Sequence, residues 1–366
     1  MKNLVILGAG TSGTMMANHM VKKLPKKEWK ITIVDQYKTH YYQPGFLFLP
    51  FDIYTEDQVK KVGNKFIPKG VNYIQKKIEQ IFPDENKVAL EDETLQYDIL
   101  IVATGCKIAP QETEGMKGEN WHKNVFDFYT YEGSLALRNK LREWEGGKMV
   151  VHFTEMPIKC PVAPLEFVFL ADSYFTKKGM REKVELTYVT PLGGAFTKPK
   201  ATAALGHLMK EKNINVVTDF NIERVDNVKN QIVDYGESTI DYDLLVTVPT
   251  NMGDEVIERS GMGDDLNFVP THHNTLQSID HENVFVIGDA TNVPASKAGS
   301  VAHFASETLT DNILLYIDGK SLKEEFDGHA NCFIETGKNK ALLIDFNYEY
   351  EPLEGTFPIA GIGPLR

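Results

Sequence analysis

The pattern of strand, turn and helix at the start of the chain constrains the fold most. Residues 3–13 read NLVILGAGTSG, an apolar strand that runs into a G-x-G-x-x-G turn. Gly8 permits the tight turn, Gly10 lets a pyrophosphate approach the backbone, and Gly13 lets the following helix pack closely on the sheet. This order of elements predicts a dinucleotide-binding domain at the N-terminus.

Two further features support a dinucleotide site there. Thr11 and Ser12 open the predicted helix, whose N-terminus offers unpaired amides and a partial positive charge to phosphates. Asp35 ends the second predicted strand and can accept hydrogen bonds from ribose hydroxyls. FAD and NAD would satisfy these features equally well.

Near-continuous apolar strands recur along the chain with helical stretches between them, which is typical of parallel sheets in an α/β fold. They are predicted at Leu4–Leu7, Ile31–Val34, Ile99–Val102, Met149–Phe153, Val184–Val189 and Leu244–Val248. YDILIVATG (97–105) and YDLLVTVPT (242–250) form a weak repeat, and each follows a predicted hairpin. We therefore expect two Rossmann-like domains in tandem.

The predicted first domain is discontinuous. It comprises residues 1–110 and 268–321, because the chain returns to it through NVFVIGDA (283–290). The second Rossmann-like domain is predicted at 111–267, and a small C-terminal region at 322–366.

The distinction between FAD and NAD comes from two later motifs. Ala103, Thr104 and Gly105 form an ATG motif, and Gly288 and Asp289 lie at the end of VFVIGDA. Both resemble motifs of flavoproteins that contain two dinucleotide-binding domains, in which the aspartate binds the ribityl chain of FAD. By this resemblance Asp289 takes that role.

The segment after Asp289 resembles the helix whose N-terminus faces the flavin pyrimidine. That helix dipole and Lys297 would stabilise negative charge on a reduced ring. For Lys297, a solvated loop lysine is the alternative.

The second predicted domain has no glycine in its turn. After the strand that ends at Phe153, residues 154–159 read TEMPIK and are followed by Cys160. An amphipathic helix is predicted to begin near Pro164, and a helix N-terminus favours a thiolate. We interpret this segment as a lost nicotinamide site that has gained a thiol.

Composition excludes several classes of function. The net charge of −12 argues against binding nucleic acid, which needs a basic surface. No apolar run reaches the ~20 residues of a membrane-spanning helix, and no signal peptide is visible. Three cysteines are not a structural disulfide framework, so we expect a cytoplasmic location. His272 and His273 have no accompanying carboxylate or cysteine cluster, and a metal site is not expected.

Taken together, the motifs resemble those of the sulfide:quinone oxidoreductases, the group that also contains the flavin subunit of flavocytochrome c sulfide dehydrogenase. The matching segments are GAGTSG (8–13), YYQPG (41–45), ATG (103–105), KCPVAPLE (159–166), GDATNVPASKAG (288–299) and NCFIETG (331–337). They are spread over essentially the whole chain. The segments around Cys160 and Cys332, with the missing second glycine turn, are the specific ones.

The resemblance implies an activity and its participants. Sulfide would attack a disulfide or polysulfide bridge between Cys160 and Cys332, and electrons would pass from Cys332 to FAD and then to a membrane quinone. Glu166 matches a family acid that handles protons, although a helix-surface glutamate is an equal alternative. Peripheral association with the cytoplasmic side of a membrane is also implied, and a homo-oligomer is possible.

The chain departs from the family pattern in two places. Many members carry a third cysteine about twenty residues beyond ATG, whereas this chain has FDFYTYEGS (126–134) there. Cys106 lies elsewhere, directly after ATG, and is expected to pack near the flavin domain. The family usually ends in two amphipathic membrane-surface helices, but this sequence stops at Arg366, so either it is truncated or this member is less firmly attached.

Two alternatives remain open. A type II NADH dehydrogenase or an NAD(P)H-dependent persulfide reductase would need a glycine-rich turn in the second domain. A catalytically silent flavin-binding partner protein would have no need for both Cys160 and Cys332.

Overall fold

The computed structural model describes residues 1–197, 199–338, 340–349 and 364–365. Its strands are β1 (Lys2–Leu7), β2 (Trp29–Val34), β3 (Thr39–Tyr41), β4 (Lys60–Val62), β5 (Asn72–Ile74), β6 (Ile78–Phe82), β7 (Lys87–Leu90), β8 (Thr94–Gln96), β9 (Ile99–Val102), β10 (Cys106–Ile108), β11 (Val125–Phe126) and β12 (Gly147–Phe153). They continue with β13 (Val184–Val189), β14 (Asn215–Val217), β15 (Ile222–Asp226), β16 (Gln231–Asp234), β17 (Thr239–Asp241), β18 (Leu244–Val248), β19 (Asn251–Gly253), β20 (Val284–Val286), β21 (Ala330–Gly337), β22 (Lys340–Phe346) and β23 (Pro364–Leu365).

The helices alternate with these strands. They are α1 (Thr11–Lys23), α2 (Glu56–Val59), α3 (Tyr131–Glu143), α4 (Ala163–Lys177), α5 (Pro199–Glu211), α6 (Glu255–Arg259) and α7 (Gly299–Ile317). Within the described ranges, no helix has the length and apolar character needed to cross a membrane.

Two five-stranded parallel sheets organise the molecule. The first has the order β20-β9-β1-β2-β5 and the second the order β11-β18-β12-β13-β14. β1 and β12 are the central strands of the two sheets. β2 and β13 lie on one side of them, and β9 and β18, which follow the meanders, lie on the other. The two orders therefore correspond, and the α/β fold with two tandem Rossmann-like units is confirmed.

The Tyr-Asp repeat marks equivalent positions in these units. Tyr97 precedes β9 after the β6–β7–β8 meander, and Tyr242 precedes β18 after the β15–β16–β17 meander. The return of the chain to the first sheet through β20 is also confirmed. The residue limits predicted for the domains stay a prediction.

The last part of the chain pairs as β21–β22–β23, an antiparallel sheet. Its strand β21 packs against α4 of the second unit and against α7 of the first. One hydrophobic core runs through both units and this sheet, and it includes residues such as Leu4, Val151, Phe167 and Ile334. The C-terminal sheet therefore joins the two Rossmann-like units at their shared core. Residues 339, 350–363 and 366 of the predicted C-terminal region lie outside the described residues.

Candidate functional site

The glycine turn after β1 has the geometry that its motif predicts. Gly8 has a φ of +98°, and a Cβ there would lie 2.4 Å from the carbonyl oxygen of Ala103. A Cβ on Gly13 would lie 1.8 Å from the carbonyl oxygen of Gly8. At Gly10, by contrast, no described atom lies within 4 Å of the Cβ position. Gly8 and Gly13 are therefore required by packing, whereas Gly10 leaves open space at the start of α1, where the first N–H groups of a helix have no intrahelical partner.

The polar groups around this turn come from the ends of neighbouring strands. Asp35 follows β2, and its carboxylate accepts hydrogen bonds from the backbone N–H of Ala9 at 2.7 Å and of Tyr37 at 2.8 Å. Burial raises the pKa of Asp35. Thr104, after β9, has a buried hydroxyl with no hydrogen-bond partner among the described residues. Gly105 beside it has a φ of +71° and open space around its Cβ position.

The GDA segment packs directly on the glycine turn. Gly288 has a φ of +71°, and a Cβ there would lie 2.2 Å from Oγ of Ser12. Asp289 follows it, 3.9 Å from the sulfur of Cys106. Open space at Gly10, an unsatisfied hydroxyl at Thr104 and a carboxylate at Asp289 thus converge at the carboxyl ends of β1, β9 and β20. These residues fit FAD, since ligands of open parallel sheets bind at this edge.

Lys297 is not a solvated loop lysine. Its side chain is buried, and its Nζ donates hydrogen bonds to the carbonyl oxygens of Asp289 at 3.1 Å and Thr291 at 2.8 Å. Nζ also lies 3.7 Å from the centre of the Phe268 ring. Burial lowers the pKa of Lys297. The lysine therefore supports the segment between Asp289 and α7, and its effect on a reduced flavin stays a prediction.

Cys160 occupies an unusual backbone position just before α4. Its φ is +45°, in the left-handed region that residues with a side chain rarely adopt. Its N–H donates to the carbonyl oxygen of Lys297 at 2.7 Å, and its own carbonyl accepts from the N–H of Ala163 at 2.9 Å. The cysteine loop is thereby joined to the segment that carries Lys297.

The charge state of the Cys160 thiol differs from the sequence expectation. Burial raises its pKa well above the ordinary value, and Glu166 adds to this increase. The N–H groups of Ala163 and Val162 lower the pKa, as predicted for a helix N-terminus, but they are outweighed. The prediction that the helix start makes this thiol acidic is therefore wrong in its net direction, because burial disfavours the thiolate more than the two N–H groups favour it.

Cys332 and Glu166 lie in the same region as Cys160. Cys332 is on β21, next to Asn331, whose N–H donates to Oγ of Ser300 in the first turn of α7 at 3.4 Å. Burial raises the pKa of Cys332 to about 12, and Glu166 contributes next. Glu166 thus influences both thiols, and Cys332 also raises the pKa of Cys160. The fold therefore packs β21, which carries Cys332, against α4, which carries Glu166 and begins three residues after Cys160.

Glu166 is a buried acid and not a helix-surface glutamate. Its side chain lies in the first turn of α4, is 6% exposed, and accepts a hydrogen bond from the N–H of Glu335 on β21 at 2.9 Å. Burial raises its pKa to about 7, although the bond from Glu335 opposes this shift. A group with this pKa is partly ionised at neutral pH, so it can both accept and release a proton.

The structure adds residues that the sequence interpretation missed. The Tyr129 hydroxyl donates to the carbonyl oxygens of Lys159 at 2.6 Å and Cys160 at 3.2 Å. Oδ1 of Asn251 accepts from the N–H of Lys159 at 3.0 Å and lies 4.0 Å from the sulfur of Cys106. No sequence motif marks either residue, because both contacts depend on tertiary structure.

Comparisons with known proteins agree with this geometry. The pyridine nucleotide-disulphide oxidoreductase family matches residues 2–151. The mitochondrial sulfide:quinone oxidoreductase of Dictyostelium discoideum is 29% identical over 355 residues, covering 95% of this chain and 78% of that protein. The mitochondrial enzyme of the same name from Mus musculus is 28% identical over 362 residues, covering 97% of this chain and 80% of that protein.

A solved structure extends the comparison to the fold. The sulfide:quinone oxidoreductase of Aquifex aeolicus superposes with a TM-score of 0.80 at 21% identity, covering 95% of this chain and 84% of that one. Sequence and fold thus confirm the resemblance that the motifs predict: over nearly its whole length, this chain is similar to the sulfide:quinone oxidoreductases.

Proposed function

We propose that this protein oxidises sulfide to polysulfide through Cys160 and Cys332 and passes the electrons by way of FAD to a membrane quinone. What supports this most directly is the packing of β21, which carries Cys332, against α4, which carries the buried acid Glu166 and begins three residues after Cys160. Its relatives named above are sulfide:quinone oxidoreductases by name.

The residues that would hold FAD form the edge of the first sheet. The open backbone at Gly10 would receive the pyrophosphate, Asp35 the ribose, and Asp289 the ribityl chain. FAD, when bound, would accept two electrons at a time from the thiols and hand them to the quinone.

The sulfur chemistry would need the two thiols, hydrosulfide and FAD as the acceptor of two electrons. The free thiols would first give two electrons and two protons and join as a disulfide. Hydrosulfide attacks one sulfur of a Cys160–Cys332 disulfide, the S–S bond breaks, and the products are one persulfide and one thiolate. Loss of two electrons from this pair joins the persulfide and the thiolate in a bridge that is one sulfur atom longer. Repetition lengthens the bridge. A further hydrosulfide would then break one end of the bridge and free that cysteine as a thiolate, and attack of this thiolate on the sulfur of the other cysteine would restore the disulfide and release polysulfide.

Glu166 would manage the proton of this cycle. Hydrosulfide carries one proton that the longer bridge does not keep. A group in the site must therefore accept one proton for each hydrosulfide that is oxidised. At a pKa of about 7 the carboxylate of Glu166 is present in useful amount at neutral pH and can take that proton.

The geometry of the second unit disfavours a nicotinamide-dependent reaction. The turn after β12 places the carboxylate of Glu155 there, held by the Thr250 hydroxyl at 2.6 Å. A negative charge at this position repels the phosphates of a dinucleotide, which a glycine turn would bind. We therefore place NADH second to sulfide as the electron donor.

The experiment uses the full chain loaded with FAD under anaerobic conditions. Sulfide is expected to bleach the flavin absorbance, and a short-chain quinone is expected to restore it, whereas NADH is expected to do neither. Bleaching by NADH would favour a type II NADH dehydrogenase or a persulfide reductase. Failure of sulfide to bleach would favour a catalytically silent flavin-binding protein.

A further inference from the structure

Tyr129 is a buried residue next to the proposed sulfur site that no motif explains. It lies just before α3, is 7% exposed, and packs edge-on against Phe128 with 5.0 Å between the ring centres. Its hydroxyl contacts the two successive carbonyl oxygens of Lys159 and Cys160. A buried phenol whose one O–H donates to the backbone of a distant loop is a means of fixing that loop.

The peptide that it contacts has an unfavourable backbone conformation. Cys160 adopts a φ of +45°, which persists only where surrounding contacts hold it. On the N–H side, Lys159 donates to Asn251 at 3.0 Å and Cys160 donates to the carbonyl of Lys297 at 2.7 Å. On the carbonyl side, the hydroxyl of Tyr129 holds both residues.

Tyr129 is itself held firmly. The backbone N–H groups of Tyr129 and Thr130 donate to Oδ1 of Asp127 at 2.9 and 2.7 Å, and Asp127 is fully buried. Thr130 caps the start of α3 by accepting from the N–H of Gly133 at 2.9 Å. The hydroxyl thus projects from a rigid turn, which suits a positioning role.

We propose that Tyr129 is a positioning residue, whose hydroxyl holds Cys160 in its left-handed conformation with the thiol at the start of α4, ready to pair with Cys332. This role rests on the proposed function. Tyr129 does not donate to the reacting sulfur in this scheme. It acts through the backbone of Lys159 and Cys160.

The variant that tests this role is Tyr129→Phe, because it keeps the ring and removes only the hydroxyl. Tyr242→Phe is the matched control: Tyr242 is also buried, and its hydroxyl has no hydrogen-bond partner among the described residues. The Tyr129 variant is expected to slow anaerobic flavin reduction by sulfide roughly threefold to tenfold. Loss of one hydrogen bond lowers the fraction of molecules with Cys160 in the left-handed conformation by about this factor. The control is expected to match the wild type.

A split between half-reactions separates positioning from general loss of structure. FAD content and the rate at which a quinone reoxidises photoreduced flavin are expected to be unchanged in Tyr129→Phe. Unchanged reduction by sulfide, or equal slowing of both half-reactions, would overturn the proposal.

A second measurement does not depend on sulfide. With Cys106→Ala as background, the Cys160–Cys332 disulfide is equilibrated with glutathione buffers, and Tyr129→Phe is expected to shift the equilibrium roughly threefold to tenfold toward the dithiol. If sulfide fails to reduce the wild-type flavin, the proposed function fails, and this equilibrium alone decides the role of Tyr129. An unshifted equilibrium would refute that role.

Discussion

Replacement of Glu166 by glutamine should change how stability depends on pH. Glutamine has nearly the same shape, and its Oε1 can still accept the N–H of Glu335, so packing and this hydrogen bond are kept. The variant loses only the ionisable group. In the wild type, burial raises the pKa of this group from 4.5 to about 7. The comparison therefore isolates the cost of charging one buried carboxyl group.

The magnitude follows from these two values. Because the pKa of Glu166 is higher in the folded than in the unfolded chain, its contribution to stability is fully present below pH ~4.5 and is lost as the pH rises through ~7. Between pH 5 and pH 8 the free energy of unfolding of the wild type should fall by about 2.5 kcal/mol relative to Glu166→Gln. At pH 8 the variant should thus be the more stable protein.

Two measurements check this. Denaturant midpoints of both proteins at pH 5 and pH 8 give the difference in stability, and infrared difference spectra between them report the protonated carboxyl group directly. The carboxyl band should disappear with a midpoint near pH 7. A midpoint near 4.5, or a stability difference that does not change with pH, would refute the assignment of a buried, proton-exchanging acid.

Two further predictions concern cofactor binding and stability. Gly10→Ala should leave the fold intact but lower FAD retention after desalting at least tenfold, because its Cβ would fill the space that the pyrophosphate needs, whereas Gly206→Ala, with equally open space, should keep FAD. Asp172→Asn should lower the free energy of unfolding by about 3 kcal/mol, as measured by denaturant titration, because buried Asp172 pairs with Arg181 at 2.8 Å and Lys212 at 2.9 Å.

The framework of the fold could be predicted from local patterns. The apolar runs predict the central strands to within two residues, since strands buried on both faces need continuous apolar sequence. The Tyr-Asp repeat identifies the equivalent strands β9 and β18 of the two sheets. The helix predicted near Pro164 begins at Ala163.

The electrostatics of the site could not be predicted in the same way. The helix start near Cys160 is visible in the sequence, but the burial that raises its pKa depends on β21, which arrives from the far end of the chain. For Lys297 and Glu166 the sequence leaves an exposed position open as an alternative, because their burial also depends on tertiary contacts. Tyr129 could not be found at all, because its partners are backbone carbonyls, which carry no sequence signal.

The sulfur pair is the central claim of this account, and the anaerobic reaction of cysteine variants with sulfide tests it most directly. Cys160→Ala and Cys332→Ala should each abolish sulfide-driven bleaching of the flavin while FAD stays bound. Cys106→Ala should bleach like the wild type. Normal bleaching in either of the first two variants would contradict the proposed route of the electrons.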